Sequence, residues 1–519
     1  MIERENILFF DTTHLIETTA FTTRCDLVYL QSALEKRFPD IPFKVTSATI
    51  NDTGIYVAKE SAWIRLFGGD NRIRNLPVYC EVTIDVCTGK HYQTIIVWSP
   101  QRWNDRFAGT AGGGTCTGGR TQINTPDNTQ RGWNMGYALL NGFTCATTDS
   151  GNKGNCTKWG HERESLENWS YRGTHNMTIF GKAVAEILHG RPVKYSYMSG
   201  GSGGGRQALT EAQKFPEDYN GIWASCPAVN WTQCIVSGLW PIAVMNEYKH
   251  VLSFHKMNAF RDGVHNSVGG KENFYQKKEK VSFDPYTILG KKTKDGVISR
   301  KDCNVMNEIW KGAHTSDGRF LWYGFLPGGT FWNKIIPIGA FYYPLIGKKP
   351  KCFSLVEQFA SLAFDSGHKD FRNINLKDFE EIFDVCVKKL GWLSCDNADL
   401  RPFCNYGGKL IIDHGMDDPL IPVEGTINYY NRMRDICGGQ AEIDPFCRLY
   451  INPGDGHGNC FTNGPGLTES TGIRALMNWV ENEVAPEELP TIQVNKKTGG
   501  TINTGIATPW RGEPMKLFL

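Results

Sequence analysis

The sequence predicts an α/β fold whose core is interrupted by one long insertion, and three observations carry that expectation. From Ile95 onward, strand-length apolar runs alternate with glycine-rich loops and helical patterns, the rhythm of a mainly parallel sheet clad in helices. That rhythm breaks off at Trp231. It resumes with the buried-strand pattern KLIIDH from Lys409. The stretch between is too long for a loop, so an inserted domain accounts for it. The expected organisation is residues 1–230 as the N-terminal part of the core, 231–403 as an inserted lid and 404–519 as the C-terminal part of the core.

Taken in order, Phe43 to Ile96 alternates in the manner of strands and supplies a β-rich N-terminal portion of the sheet. Gly112-Gly113-Gly114 then follows an early strand, where glycine lets a backbone N–H approach a ligand closely. Val193 to Met198 reads as a further strand, while Ala208, Leu209, Ala212 and Phe215 recur at helical spacing until Pro216 ends the pattern. Between them lies Gly200-Gly201-Ser202-Gly203-Gly204, a match to G-x-S-x-G. A strand-to-helix turn this sharp strains the serine backbone and tolerates no Cβ beside it. It lifts the Ser202 hydroxyl clear of the sheet and leaves the Gly203 N–H at a helix N-terminus, where an oxyanion is stabilised. A flexible glycine-serine linker is the plain alternative, but linkers are not bracketed by a strand and a helix.

Farther on, KLIIDH runs into the turn-rich segment GMDDPLIP, which carries Asp418, with Asp413 and Asp417 as competing carboxylates. Arg448 to Ile451 is another short strand, and it opens into NPGDGHGNC, which carries His457. Each residue follows the C-terminal end of a strand, where open α/β sheets place their catalytic groups. The chain order Ser202, Asp418, His457 is that of an α/β-hydrolase and differs from the two other common serine-hydrolase orders. Ser202 is thus expected as nucleophile, His457 as base and Asp418 as the acid that orients it. Gly203 with Gly113 or Gly114 is expected as the oxyanion hole.

At this point the chain resembles the tannase and feruloyl esterase family of secreted α/β-hydrolases, from about Cys25 to Val480. The segments that carry the likeness include TIIVWSPQRWNDRFAGTAGGG from Thr94, GYALLNGFTCATTDSG from Gly136, GRQALTEAQKFPEDYNGIWASCPAVNW from Gly205, HGMDDPLIP from His414 and NPGDGH from Asn452. The resemblance implies a carboxylic ester hydrolase acting on hydroxycinnamoyl, galloyl or similar aromatic esters, with no cofactor required. It also implies a disulfide between a cysteine just before the serine and one just after the histidine. Here those positions are Gly201 and Gly458, a paired loss that removes a constraint worth ~3 to 5 kcal/mol and leaves the two loops held by packing. Cys460 offers a displaced bridge with no partner legible in the sequence. Members of the family often hold calcium in the lid. The closest segment, NAFRDGVHNSVGG from Asn258, offers only Asp262 with Asn258 and Asn266, against the six to eight oxygens calcium takes, so weak or absent binding is expected.

The lid carries helical patterns at Asp302 to Trp310 and Leu376 to Leu390. Its aromatic run from Leu321 includes Trp322, Tyr323, Phe325 and Trp332, which either stack on a phenolic ring or form the lid's own core. The tail after Glu487 reads as irregular. A net charge of +2 with no basic stripe argues against nucleic acid as a partner, and no run of eighteen apolar residues argues against a membrane span. The partner is a small-molecule ester; oligomeric state is not legible.

Sixteen cysteines, the expected pairs Cys25–Cys80 and Cys437–Cys447, and sequons at Asn51, Asn155, Asn168, Asn176 and Asn230 point to a secretory route. The first residues contain no apolar leader core, which points to a leader missing from the chain or to work inside the cell. Two other functions share the same residues: an intracellular ester or lactone hydrolase or acyltransferase of small-molecule biosynthesis, and a non-catalytic binding protein on a hydrolase scaffold.

Overall fold

Nine strands build the central sheet of the computed structural model, which describes residues 10–57, 72–119, 134–277, 279–333, 341–342, 350–364, 370–457, 463–495 and 500–512. They are β1 (Phe43–Asn51), β2 (Tyr79–Thr88), β3 (His91–Pro100), β4 (Arg106–Thr110), β5 (Thr144–Thr148), β6 (Tyr195–Gly201), β7 (Gly221–Ser225), β8 (Lys409–Gly415) and β9 (Cys447–Asn452). In space they run β1-β2-β3-β5-β4-β6-β7-β8-β9. The first three pair antiparallel, as does β3 with β5, and every later pair is parallel. Parallel strands need crossovers, and the helices that make them bury both faces of the sheet.

The alternation along each strand sorts side chains between two cores. Leu410 and Ile412 face one layer with Met198 and Ile222, while Ile411 faces the other with Tyr197 and Trp223. The first layer is covered by α1 (Leu27–Arg37), α2 (Gly173–His189), α3 (Gly203–Lys214) and α7 (Val423–Cys437). The second is covered by α8 (Glu469–Asn482) through Ile473 and Leu476.

Strand β7 pairs directly with β8, so everything from Cys226 to Gly408 lies off the sheet. This stretch contains α4 (Phe254–Ser267), α5 (Arg300–Lys311) and α6 (Leu376–Leu390) around a third core built from Phe260, Val305, Ile309, Phe379 and Phe383. Trp322 and Phe325 are part of that core, and Phe325 stacks on Phe331 at 5.0 Å, so these two rings are structural. The Trp332 side chain lies outside the described residues.

Four expectations need correction. The tail is not irregular. Leu489–Val494 (β10) and Thr501–Ala507 (β11) form an antiparallel hairpin, in which Leu489, Thr491 and Ala507 are buried while Thr501, Asn503 and Thr504 are exposed. Cys437 and Cys447 are thiols. Cys437 closes α7 half-buried against the Leu400 backbone, and Cys447 is wholly buried at the start of β9, with burial pushing both thiols up. Three sequons are buried: Asn168 donates to Thr88 at 2.7 Å, Asn230 donates to Asp396 at 3.0 Å, and Asn176 is packed in α2, so none is open to a glycan. The segment compared with a calcium loop is helical. Asn258, Asp262 and Asn266 fall on successive turns of α4, whose buried Met257, Phe260 and Val264 set the helical period, and the Asp262 carboxylate pairs with Arg261 at 2.9 Å.

Among the described residues one disulfide is formed, Cys25–Cys80, joining the start of α1 to β2 across 55 residues. Closing a loop of that length constrains the unfolded chain by about 4 kcal/mol on the chain-entropy account. Replacing both cysteines by alanine is expected to lower the unfolding free energy by about that amount in urea titration. An unchanged midpoint would show that the bridge is mechanically idle. No helix among the described residues is long and apolar enough to cross a membrane.

Candidate active site

Strand β6 ends at Gly201 and α3 begins at Gly203, so Ser202 alone makes the turn, at φ 60° and ψ −123°. A left-handed φ on a residue with a Cβ costs of order 1–3 kcal/mol and persists only where neighbours over-determine it. Here the neighbours do. The Ser202 N–H donates to Ser225 O at 3.0 Å, and Ser202 O accepts from Ala228 N at 3.2 Å.

The glycines around the turn are required by contact. A methyl on Gly203 would lie 2.3 Å from Gly114 O and 2.9 Å from Gly114 N, one on Gly204 would lie 2.5 Å from Gly112 O, and one on Gly205 would lie 2.8 Å from Pro227 Cα. The turn is therefore packed between the glycine loop after β4 and the segment after β7. Gln207 of α3 fixes that loop: its Oε1 accepts from Gly112 N at 3.1 Å, and its Nε2 donates to Thr117 O at 3.1 Å. Gly113 gives its carbonyl to Cys116 N at 3.0 Å, and Gly114, at φ 59°, turns the chain.

Asp418 and His457 are joined. The His457 Nδ1–H donates to Asp418 Oδ2 at 2.8 Å, which leaves Nε2 as the ring's basic nitrogen. Asp418 Oδ1 accepts from the Leu420 and Ile421 N–H groups at 2.8 and 2.9 Å, and Oδ2 also accepts from His414 Nε2 at 3.1 Å. His414 is fully buried and accepts from the Thr426 hydroxyl at 2.8 Å. Burial works to raise the Asp418 carboxyl, yet the His457 and His414 rings outweigh it and hold the group well below the usual carboxylate range. Burial works to lower His457, yet the Asp418 carboxylate, with a smaller contribution from the Cys226 sulfur, keeps the ring well above an ordinary imidazole.

The competing carboxylates have other partners. Asp413 accepts from Trp223 Nε1 at 2.8 Å and gives its backbone carbonyl to Cys226 N at 2.6 Å. Asp417 accepts from Thr330 N at 2.7 Å and Asn463 Nδ2 at 2.8 Å, so it ties the insertion to the histidine loop, and burial pushes it up to about 7. Thr330 and Asn463 line a cavity of about 440 Å³ with Tyr275, His265 and the basic groups of Arg261, Lys271 and Lys291.

A family model described as "Tannase and feruloyl esterase" matches residues 80–277 and 370–516. A probable feruloyl esterase of Arthroderma benhamiae is 30% identical over 469 residues, covering 81% of each chain. The chain belongs to the tannase and feruloyl esterase family. It is a carboxylic ester hydrolase. In fold the esterase is similar to feruloyl esterase B from Aspergillus oryzae, with a TM-score of 0.76 at 21% identity over 93% of this chain and 96% of that one. It is also similar to tannin acyl hydrolase from Aspergillus niger, with a TM-score of 0.73 at 21% identity over 93% of each chain.

In the esterase, the sequence-read residues Ser202, Gly203, Gly113 and Gly114 converge at one elbow, and Asp418 bonds His457. The two groups meet at Cys226. Its sulfur and the ligand atoms of Asp418 and His457 lie within 4.8 Å of one another, while the residue before it bonds Ser202 N. The Ser202 hydroxyl makes no hydrogen bond to His457 among the described residues, and such catalytic contacts commonly tighten only when substrate is bound. Gly201 ends β6, whereas Gly458 and Cys460 lie outside the described residues. Sequence reading missed His414, Gln207 and Cys226. Only His414 left a signal, its i,i+4 spacing to Asp418.

Gly203→Ala is expected to cost the esterase about 100- to 1,000-fold in kcat, the usual loss for one oxyanion donor, because the methyl drives Gly114 away. Steady-state kinetics on a soluble ester checks it, with far-UV circular dichroism to confirm the fold.

Proposed function

We propose that the esterase hydrolyses aromatic esters of the hydroxycinnamoyl or galloyl type through an acyl-enzyme on Ser202. His457 Nε2 takes the Ser202 proton as Oγ attacks the ester carbonyl. Asp418 keeps the proton on Nδ1 and stabilises the imidazolium that forms. The Gly203 N–H, with that of Gly114 or Gly113, takes the oxyanion. His457 then protonates the departing alcohol, and a water activated by the same ring releases the acid. No cofactor enters this chemistry.

Two observations support the reading: the 2.8 Å bond from His457 Nδ1 to a carboxylate saturated by three further donors, and a serine held on a strained strand-to-helix turn. The relatives' names favour aromatic acyl groups.

A panel of hydroxycinnamoyl, galloyl and short aliphatic esters, run with and without a competing alcohol, tests the proposal. Faster turnover of the aromatic esters, with free acid as the main product, is the expected result. Preferential turnover of aliphatic esters would remove the substrate class, and acyl transfer outrunning hydrolysis would favour the acyltransferase reading.

A further inference from the structure

Cys226 has no part in ester hydrolysis as described, yet it is buried against the two residues that do. It sits one residue beyond β7, its N–H on Asp413 O, and its backbone is held at φ 35°. Among the described residues its thiol has no disulfide partner. One thiol sulfur, one imidazole nitrogen and one carboxylate oxygen, from Cys226, His457 and Asp418, lie within 4.8 Å of one another. Donors about 2.0 to 2.3 Å from a common centre are separated by less than that, so the set forms when the ion takes the place of the proton between His457 Nδ1 and Asp418 Oδ2 and displaces one further donor from that carboxylate.

We propose that Cys226, His457 and Asp418 form a binding site for a thiophilic divalent cation of the zinc type, and that its occupancy reversibly switches the esterase off. The chemistry of the donors selects the ion. Sulfur and imidazole suit zinc and disfavour calcium or magnesium, and three protein ligands leave the fourth tetrahedral position to water. On binding, the Cys226 thiol and the protonated His457 ring each lose one proton to solvent, so that they enter as thiolate and neutral imidazole beside the Asp418 carboxylate. Two negative charges then face the two positive charges of the ion. His457 is the most exposed of the three, with 13% of its side chain accessible, so the ion enters by the histidine side. A ring held by the ion is no longer free to accept the Ser202 proton. That last step rests on His457 being the base; the ligand set does not.

The cobalt spectrum of the full chain tests the site independently of catalysis. Co²⁺ added to the wild-type protein, and to the Ser202→Ala variant, is expected to give thiolate-to-cobalt charge-transfer absorption in the near ultraviolet. The same band should be missing in both Cys226→Ala and Cys226→Ser. In parallel, Zn²⁺ is expected to inhibit wild-type ester hydrolysis at micromolar concentration, with full recovery on chelation. Each Cys226 variant, scored against its own metal-free rate, should require at least the roughly 10- to 100-fold more Zn²⁺ that losing even a supporting contact costs a metal site. No charge-transfer band in wild type, or peptide mapping that finds Cys226 already in a disulfide, would overturn the site. A band together with equal zinc sensitivity in wild type and variants would overturn the switch. A band that persists in Ser202→Ala while that variant keeps full activity would sink the proposed function and leave the metal site standing.

Discussion

Ser202→Ala is expected to lower kcat by about 10⁶-fold, the scale of loss when a triad nucleophile is removed, with a residual rate supplied by the oxyanion donors and substrate binding. The argument is local and steric. Ser202 occupies a left-handed turn that no Cβ-bearing residue adopts cheaply, and the glycines at 203, 204 and 205 exist because Gly114, Gly112 and Pro227 press on them. Such strain is retained where function requires it. Ser202→Gly should therefore be equally inactive and more stable by about 1 kcal/mol, since glycine relieves the left-handed backbone. Melting temperatures of the two variants, read beside their kcat values, separate the chemical role of the hydroxyl from the cost of its position.

Asp418→Asn is expected to lower kcat by about 10⁴-fold through loss of the ring's orientation and tautomer. It should also move the pH profile, and the sign follows from opposing effects. In the wild type, burial lowers the His457 pKa, and Asp418 together with the Cys226 sulfur raises it by more, so the ring keeps its proton to a pH above the ordinary imidazole value. The base form is the active one, and activity should rise with pH along a limb centred above pH ~6.5. In Asp418→Asn the main raising partner is gone and burial remains, so the residual activity should begin at lower pH. A pH–kcat/KM profile of both proteins checks this. A limb that does not move would detach Asp418 from His457.

The parts of this site legible in the sequence are those written in short-range pattern. The strand before Ser202, the glycine run and the helix after it are contiguous, and the order of serine, acid and histidine depends only on the chain. What the sequence hid was decided by neighbours across the sheet. Cys226 lies 24 positions after Ser202, and it reaches the histidine only because β7 is laid beside β6 with Gly201 opposite Ser225. Asp417 and Asp418 are adjacent and identical in type. One was buried against Thr330 and Asn463, and the other collected His457 and His414, a difference set by loops distant in sequence. The hairpin at β10 and β11 and the helix at α4 were obscured for a different reason. Thr- and Asn-rich strands look like loop, and a motif match at Asp262 drew attention from the buried Met257, Phe260 and Val264 that reveal the helix.

The account depends on a nucleophilic serine at the end of β6, and covalent trapping tests it most directly. The folded full-length protein treated with a fluorophosphonate, then digested and mapped by mass spectrometry, should carry one adduct on the peptide that contains Ser202, and His457→Ala should slow its formation severely. A folded protein that stays unlabelled, or an adduct placed on any other residue, would contradict the account.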